Sequence, residues 1–380
     1  MSDPSAIKLF VPREVYPGET RAPIVPATAA RLAKLGIRVE VESAIGASIC
    51  QADERYRDAG AAISTDRPAS LAAADIVLRL RQPPIAESPL LKPGCIHISY
   101  LDPFNEIDLV RSLAAAGVSA FSMQMIPRST VAQKMDALSS QANLAGYISV
   151  IIAAERLGKI LPMMTTPAGT IRPAKVFVIG VGVAGLQAIA TAKRLGAQIE
   201  AFDTRPVVEE QVRSLGARFV KADLGETGQT AQGYARELTP EQLAKQREVM
   251  AEHCVPSDIV ITAAQVFGRK APRILTTGMV TSMAPGSVVV DLSVETGGNV
   301  ECSRPDEEIE VQGVKVIGIS ALPRRVARTA SEMYSSNLGN FTEHFWDKQS
   351  GRFALNLDND LIKGCLLTHA GAIVHPQFKQ

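Results

Sequence analysis

The stretch from Lys175 to Arg205, KVFVIGVGVAGLQAIATAKRLGAQIEAFDTR, constrains this chain more than any other. A short apolar strand, Val176–Ile179, runs into Gly180-Val181-Gly182-Val183-Ala184-Gly185, and a helix-forming segment follows. Gly180 permits a tight turn, Gly182 lets the backbone approach a pyrophosphate, and Gly185 lets helix and strand pack closely. The helix N-terminus offers unpaired N–H groups and a partial positive charge to phosphates. Eighteen residues past Gly185 (203 − 185 = 18), a second strand, Gln198–Phe202, ends in Asp203. A carboxylate there accepts hydrogen bonds from the ribose hydroxyls and repels a 2′-phosphate, so NAD(H) is expected in preference to NADP(H). Arg205 tempers that preference, because an arginine can receive a 2′-phosphate, and Thr204 stands between the two. A glycine triplet alone occurs on many turns; strand, glycines, helix, strand and acid in this order are far more specific.

The surrounding pattern supports the same class. At about 150 residues per domain, 380 residues suggest two domains, and 46% hydrophobic residues suffice for large cores. Short apolar runs alternate with helix-like segments. In the first third the strands are Ile7–Val11, Val39–Glu42, Ile76–Leu80, Cys95–Ser99 and Ala120–Met123, with helices at Ala27–Leu35 and Asn105–Ala116. The series restarts with Val176–Gly180, Gln198–Phe202, Ala217–Val220, Ile259–Thr262, Val288–Asp291 and Lys315–Ile317. Strands alternating with helices read as α/β. The expectation is two Rossmann-like, doubly wound parallel-sheet domains joined by a long crossover helix across Val131–Leu157. The first domain comprises 1–135 plus 325–380, since the helical tail after Pro323 lacks strands for a third domain and packs back. The second comprises 136–324. Only the second carries the glycine fingerprint, so the first does something other than hold another dinucleotide. LPMMTTPAGTIRP reads as a Pro/Gly-rich connector.

Several functions are excluded. Forty Lys+Arg against thirty-nine Asp+Glu leave a net charge of +1, no electrostatic footprint for nucleic acid or anionic lipid. Five scattered cysteines without a CxxC pair argue against a disulfide framework and a zinc knuckle. His253, His344, His369 and His375 are too dispersed for a metal-ligand set, so no metal is expected. The start lacks the features of a secretory or transit segment. No apolar run approaches the roughly 18 residues that span a bilayer, so the chain is expected not to cross a membrane. Trp346 and Phe345 read as anchors for the tail.

Two polar segments stand out. MIPRSTVAQKMDALSSQANLAGY places Arg128, Gln133 and Asp136 five and three residues apart, with Ser139 and Ser140 beyond. Gln133, Asp136 and Ser140 can share one helix face, and Arg128 can fold back towards them. A nicotinamide carboxamide needs such donors and acceptors; the plain alternative is a solvated face. Asp223–Arg236, DLGETGQTAQGYAR, is a long Gly/Thr/Gln-rich loop, either a lid or an exposed insertion.

These residues resemble a known family, the NAD(H)-binding domain I of proton-translocating nicotinamide nucleotide transhydrogenase. PREVYPGETRAP, MIPRSTVAQKMDALSSQANLAGY, GVGVAGLQAIATAKRLGA, AQGYA, APGSVVVDLSVETGGN and GAIVHP carry the resemblance from end to end. It implies that Arg128, Gln133, Asp136 and Ser139 serve the nicotinamide end. It places Gly180–Gly185 at the pyrophosphate, Asp203 at the adenosine ribose, and Gly233 and Tyr234 on a closing loop. It further implies a homodimer docking on an NADP(H)-binding beta subunit, alongside a membrane-spanning subunit that conducts protons. The chain would then be cytoplasmic, peripheral on the inner face of the bacterial membrane. Its stop at Gln380 points to the arrangement in which this domain is a separate subunit.

The alanine dehydrogenases resemble this chain too, and chemistry separates the two. An amino-acid dehydrogenase must manage a proton on a carbonyl or imine and needs a Lys or His beside the nicotinamide. In the matching motif, LRLRQPP, this chain has Arg81, and HISYLDP has no His after its strand. The acid expected after VVVD is Glu295. Hydride transfer between two nicotinamides moves no proton at the reacting carbons, so positioning suffices. Arg21, in GETR, occurs in both families and reads as a structural ion pair. Two stretches depart from the family pattern, Tyr100–Asp102 and Ala263–Gln265; Gln265 is a candidate contact on the adenine or lid side.

Overall fold

The computed structural model describes residues 6–225, 227–228, 236 and 238–379. The chain divides into two compact units, Met1–Gln141 with Val326–Gln380, and Ala142–Arg325. The first is built on an eight-stranded sheet ordered Ala372–Ile373, Leu366–His369, Ser119–Ser122, Ile96–Ser99, Ile76–Leu78, Lys8–Val11, Arg38–Glu42, Ala62–Ser64. The six strands from Ser119–Ser122 to Ala62–Ser64 run parallel. The direction of winding reverses beside Lys8–Val11, whose neighbours are Arg38–Glu42 and Ile76–Leu78. In such sheets ligands sit outside the carboxyl ends of the strands at this reversal. Leu9, Phe10, Val11, Val77 and Leu78 are fully buried, which is why these strands read as unbroken apolar runs: a parallel sheet is covered on both faces.

The second unit has a seven-stranded sheet ordered Arg218–Phe219, Gln198–Phe202, Lys175–Ile179, Ile259–Thr262, Val288–Asp291, Val314–Gly318, Glu307–Val311. Its reversal lies between Lys175–Ile179 and Ile259–Thr262, and the glycine turn leaves from there. Phe177, Ile179, Val260, Val289 and Val316 form the core with Met250 and Cys254 of the helix Pro240–Cys254.

Neither sheet is purely parallel. Glu307–Val311 pairs antiparallel with Val314–Gly318 through Gln312 and Gly313, at φ 49° and 82°, the two left-handed positions of a tight hairpin. Leu366–His369 pairs antiparallel with Ser119–Ser122, so the tail contributes sheet as well as the helix Ala327–His344. Trp346 anchors that tail by donating from Nε1 to the carbonyl of Leu35 at 3.1 Å. The segment read as a connector folds into a hairpin, Met164–Thr166 with Gly169–Ile171.

The crossover helix is shorter than expected, Ala137–Arg156. A 3-10 turn, Gln133–Met135, precedes it, and Asp136 at ψ 86° breaks the helical path. The expectation of one helix face carrying Gln133, Asp136 and Ser140 is therefore corrected. The physical reason is that the Asp136 side chain satisfies the Ser139 N–H of the first turn, an alternative that Asp offers the backbone. By length and composition Ala137–Arg156 is the one helix, among the described residues, that could cross a membrane. Val150 and Ala153 on it are fully buried.

Candidate functional site

In the second unit the fingerprint residues form a turn whose dimensions leave no room for side chains at two of three glycines. Gly180 adopts φ +94°, and a Cβ there would lie 2.7 Å from the carbonyl carbon of Ala263, where the ends of neighbouring strands converge. A Cβ on Gly185 would lie 2.0 Å from the Gly180 oxygen. Gly182 differs: nothing stands within 4 Å of where its Cβ would be. It caps the helix Val183–Arg194 with no side-chain hydrogen bond, so the cap side chain satisfies none of the first-turn N–H groups at this positive helix end. That cradle suits a pyrophosphate.

Asp203 follows its strand immediately. Its Oδ2 accepts from the Val181 N–H at 2.7 Å, which joins the strand end to the glycine turn. Arg205 grips the same carboxylate, donating from its main-chain N at 2.9 Å, Nε at 2.8 Å and Nη2 at 2.7 Å. Thr204 offers its carbonyl to Thr227 Oγ1 at 2.6 Å. Gly233 and Tyr234 lie outside the described residues. Gln265 is exposed and donates to the Leu292 carbonyl at 3.3 Å.

The opposite rim of this edge is held by residues that sequence reading did not single out. Asp291, fully buried, accepts from the N–H groups of Ser293, Asn299 and Val300 at 2.9, 3.2 and 3.1 Å. Asn299, also fully buried, accepts from Ala264 N and donates to the Ala264 carbonyl. Both lie in VVVDLSVETGGN, where Gly297 and Gly298 at φ 106° and 78° were the available signal. Glu295 is exposed in a turn between them.

In the first unit Asp136 acts as a helix cap. Oδ1 accepts from Ser139 N at 2.9 Å, Oδ2 accepts from Ser139 Oγ at 2.6 Å, and the Asp136 carbonyl accepts from Ser140 Oγ at 3.0 Å. Arg128 and Gln133 are exposed nearby. Asn337 and Asn340 of the tail helix both donate to the Lys134 carbonyl at 2.9 Å, pinning the turn from 203 and 206 residues away. A cavity of about 450 Å³ is lined by Gln133, Lys134, Asn340 and Glu343.

The carboxyl edge of this sheet carries a dense charge cluster. Arg21 is 5% exposed; its Nε and Nη2 fork the Glu19 carboxylate at 2.7 and 2.6 Å, and Nη1 donates to Gln141 at 2.8 Å. Arg81 Nε also donates to Glu19, at 3.0 Å. Burial works against the Glu19 charge, yet the hydrogen bonds and charge of Arg21, aided by Arg81, hold it down to about 2. Arg21 is thus an ion-paired residue, as expected. His97 is fully buried on its strand, within 3.0 Å of Ser99 Oγ, and burial pushes it down to about 3. It stays neutral at physiological pH. Tyr100 is buried and Asp102 accepts from Asn105.

Two family descriptions match: "Alanine dehydrogenase/PNT, N-terminal domain" over residues 10–145 and "Alanine dehydrogenase/PNT, C-terminal domain" over 149–376. The chain is 42% identical over 377 residues to the first part of NAD(P) transhydrogenase subunit alpha from Rhodospirillum rubrum, covering 97% of this chain and 98% of that one. The corresponding polypeptide of Rickettsia prowazekii is 42% identical over 373 residues, covering 97% and 96%. Among solved structures, the transhydrogenase of Sinorhizobium meliloti superposes with a TM-score of 0.84 at 41% identity, covering 97% of this chain and 99% of that one. An L-alanine dehydrogenase superposes with a TM-score of 0.80 at 25% identity, covering 98% of each.

Proposed function

Because this chain belongs to the alanine dehydrogenase/PNT family, we propose that it is the NAD(H)-binding subunit of a proton-translocating transhydrogenase. In this reading it passes hydride between NAD(H) and NADP(H) held on a beta subunit, and the transfer is coupled to proton movement through a membrane-spanning subunit. The chain acts as a homodimer, peripheral on the inner face of the bacterial membrane through those partners.

The observation that carries the choice is the state of the charged edge in the first unit. Arg81, where the dehydrogenases carry a lysine, is ion-paired to the buried Glu19. An arginine does not give up its proton in a protein, and His97 is neutral, buried and directed at Ser99. Neither Arg81 nor His97 is therefore poised to exchange a proton with a carbonyl. Bound NADH supplies a hydride, two electrons and a hydrogen nucleus leaving together, so the donor side releases no free proton.

The residues of this chain then have binding and orienting work. The backbone around Gly182 and the helix N-terminus take the pyrophosphate, and the Asp203 carboxylate takes the adenosine ribose. Arg128, Gln133, Asp136 and Ser139 orient the nicotinamide end, Asp136 from a position held by Ser139. Thr204 and Gln265 border the adenosine side.

The test is reconstitution. Purified chain alone is expected to bind NADH and to show negligible redox turnover. Mixing it with an NADP(H)-binding partner subunit is expected to restore hydride transfer to NADP+ analogues. Oxidation of alanine with NAD+ by the chain alone would replace this reading with an amino-acid dehydrogenase, the alternative that the L-alanine dehydrogenase likeness favours.

A further inference from the structure

The Asp203 carboxylate, assigned above to the ribose, is fully engaged by the protein itself. An ionised carboxylate offers about four lone-pair sites. Here N–H groups of Val181 and Arg205, with Nε and Nη2 of Arg205, reach it between 2.7 and 2.9 Å. Arg205 Nη2 also donates to the Val181 carbonyl at 3.0 Å, in the glycine turn. The pair is largely shielded from water, with side chains 14% and 6% exposed. A ribose diol therefore needs some donor to give way.

The donors are not equally able to move. The two main-chain N–H groups are set by the turn after Gly180 and by the strand end. The guanidinium sits on a flexible stem with several rotatable bonds. Only it can leave without unmaking the fingerprint. When it leaves, its tether keeps a planar cation beside the ribose edge, and such a fork suits a phosphate.

We propose that Arg205 sets both affinity and coenzyme discrimination at the adenosine subsite. It competes internally with the ribose for Asp203, which weakens NAD(H) binding and speeds its release. Once displaced, it offsets part of the repulsion that Asp203 exerts on a 2′-phosphate. The inference rests on the assignment of Asp203 to the ribose, and the two fail separately.

The experiment is titration of the full chain with NADH and with NADPH, for wild type, Arg205→Met and Asp203→Asn. Arg205→Met is expected to tighten NADH by about 3–10-fold, the scale of a partly shielded charged pair, and to weaken NADPH, widening the ratio. Arg205→Gln keeps one donor for Asp203, is expected to shift both in the same directions by less, and decides the matter if the Met variant does not fold. NADH affinity that falls or stays unchanged in the folded variant overturns the role of Arg205. Unchanged NADH affinity in Asp203→Asn overturns the ribose assignment beneath it.

Discussion

The Cβ that Gly146 lacks would lie 2.1 Å from the carbonyl oxygen of Ala184. The long helix Ala137–Arg156 thus meets the first turn of the fingerprint helix backbone to backbone, and any side chain at position 146 must push that turn aside. Gly146→Ala is expected to cost about 1–3 kcal/mol, the range for overpacking, and to weaken NADH binding by displacing Ala184. Urea unfolding and an NADH titration on the same preparation check it. Unchanged values for both would mean that the contact relaxes freely.

The glycines of the fingerprint separate stability from binding. Gly182, at φ −86° with empty space around its missing Cβ, tolerates alanine in the fold. Gly182→Ala is expected to leave the melting temperature within a degree or two while weakening NADH by roughly 10-fold, about 1.4 kcal/mol. Gly185→Ala puts a methyl 2.0 Å from the Gly180 oxygen and is expected to lower the melting temperature itself. Calorimetry of both variants, with and without NADH, distinguishes them.

Asp136 has a structural duty as well as a proposed functional one, and asparagine keeps the first. Asn caps a helix as well as Asp, so Asp136→Asn is expected to change stability by less than about 0.5 kcal/mol. Hydride transfer in the reconstituted enzyme is expected to slow on the order of 10–100-fold through misplacement of the nicotinamide, with little loss of adenosine affinity. Stopped-flow transfer and binding measurements on the same variant decide it, and equal losses in the two would undo the assignment.

Two carboxylates in the first unit give opposite pH dependences. Glu14 accepts from Leu80 N at 2.7 Å, and burial, opposed by Arg79, raises it from 4.5 to about 7. The folded chain holds that proton where the unfolded chain has released it, so stability is lost as pH rises from about 4.5 to about 7. Glu19, lowered from 4.5 to about 2, supplies stability above about 4.5 that disappears as pH falls towards 2. Glu14→Gln keeps a carbonyl oxygen for Leu80 and removes the titration. Its unfolding free energy is expected to fall less than that of wild type between pH 5 and pH 8, by on the order of 2 kcal/mol. Identical pH profiles would refute the assignment of that loss to Glu14.

Some of this architecture is legible along the chain. Ile259–Thr262 and Val288–Asp291 occupy the residues their apolar runs mark, because strands buried on both faces must be largely apolar, and Gln198–Phe202 stands where it was expected although Gln198 and Glu200 interrupt its apolar residues. Gly180, Gly182 and Gly185 mark the turn because each backbone position there excludes or dispenses with a side chain. Other features were hidden. The polar spacing from Gln133 to Ser140 fits a helix as well as it fits a turn followed by a cap. Which it is depends on whether Asp136 turns back to Ser139 and whether Asn337 and Asn340 hold Lys134 from outside. The hairpin at Met164–Ile171 shows no alternation to betray it.

By itself, then, the order of residues determined the α/β class, the place of the dinucleotide turn and the identity of the acid at its second strand, since each depends on neighbours within about thirty positions. Only the folded chain decided that Asp203 is already held by Arg205 and Val181, that Glu19 ion-pairs with both Arg21 and Arg81, and that the tail completes the first sheet beside Ser119–Ser122. Periodicity reports which way a side chain faces. Which partner it finds there is set by the topology that brings distant strand ends to one edge, and no local pattern carries that information.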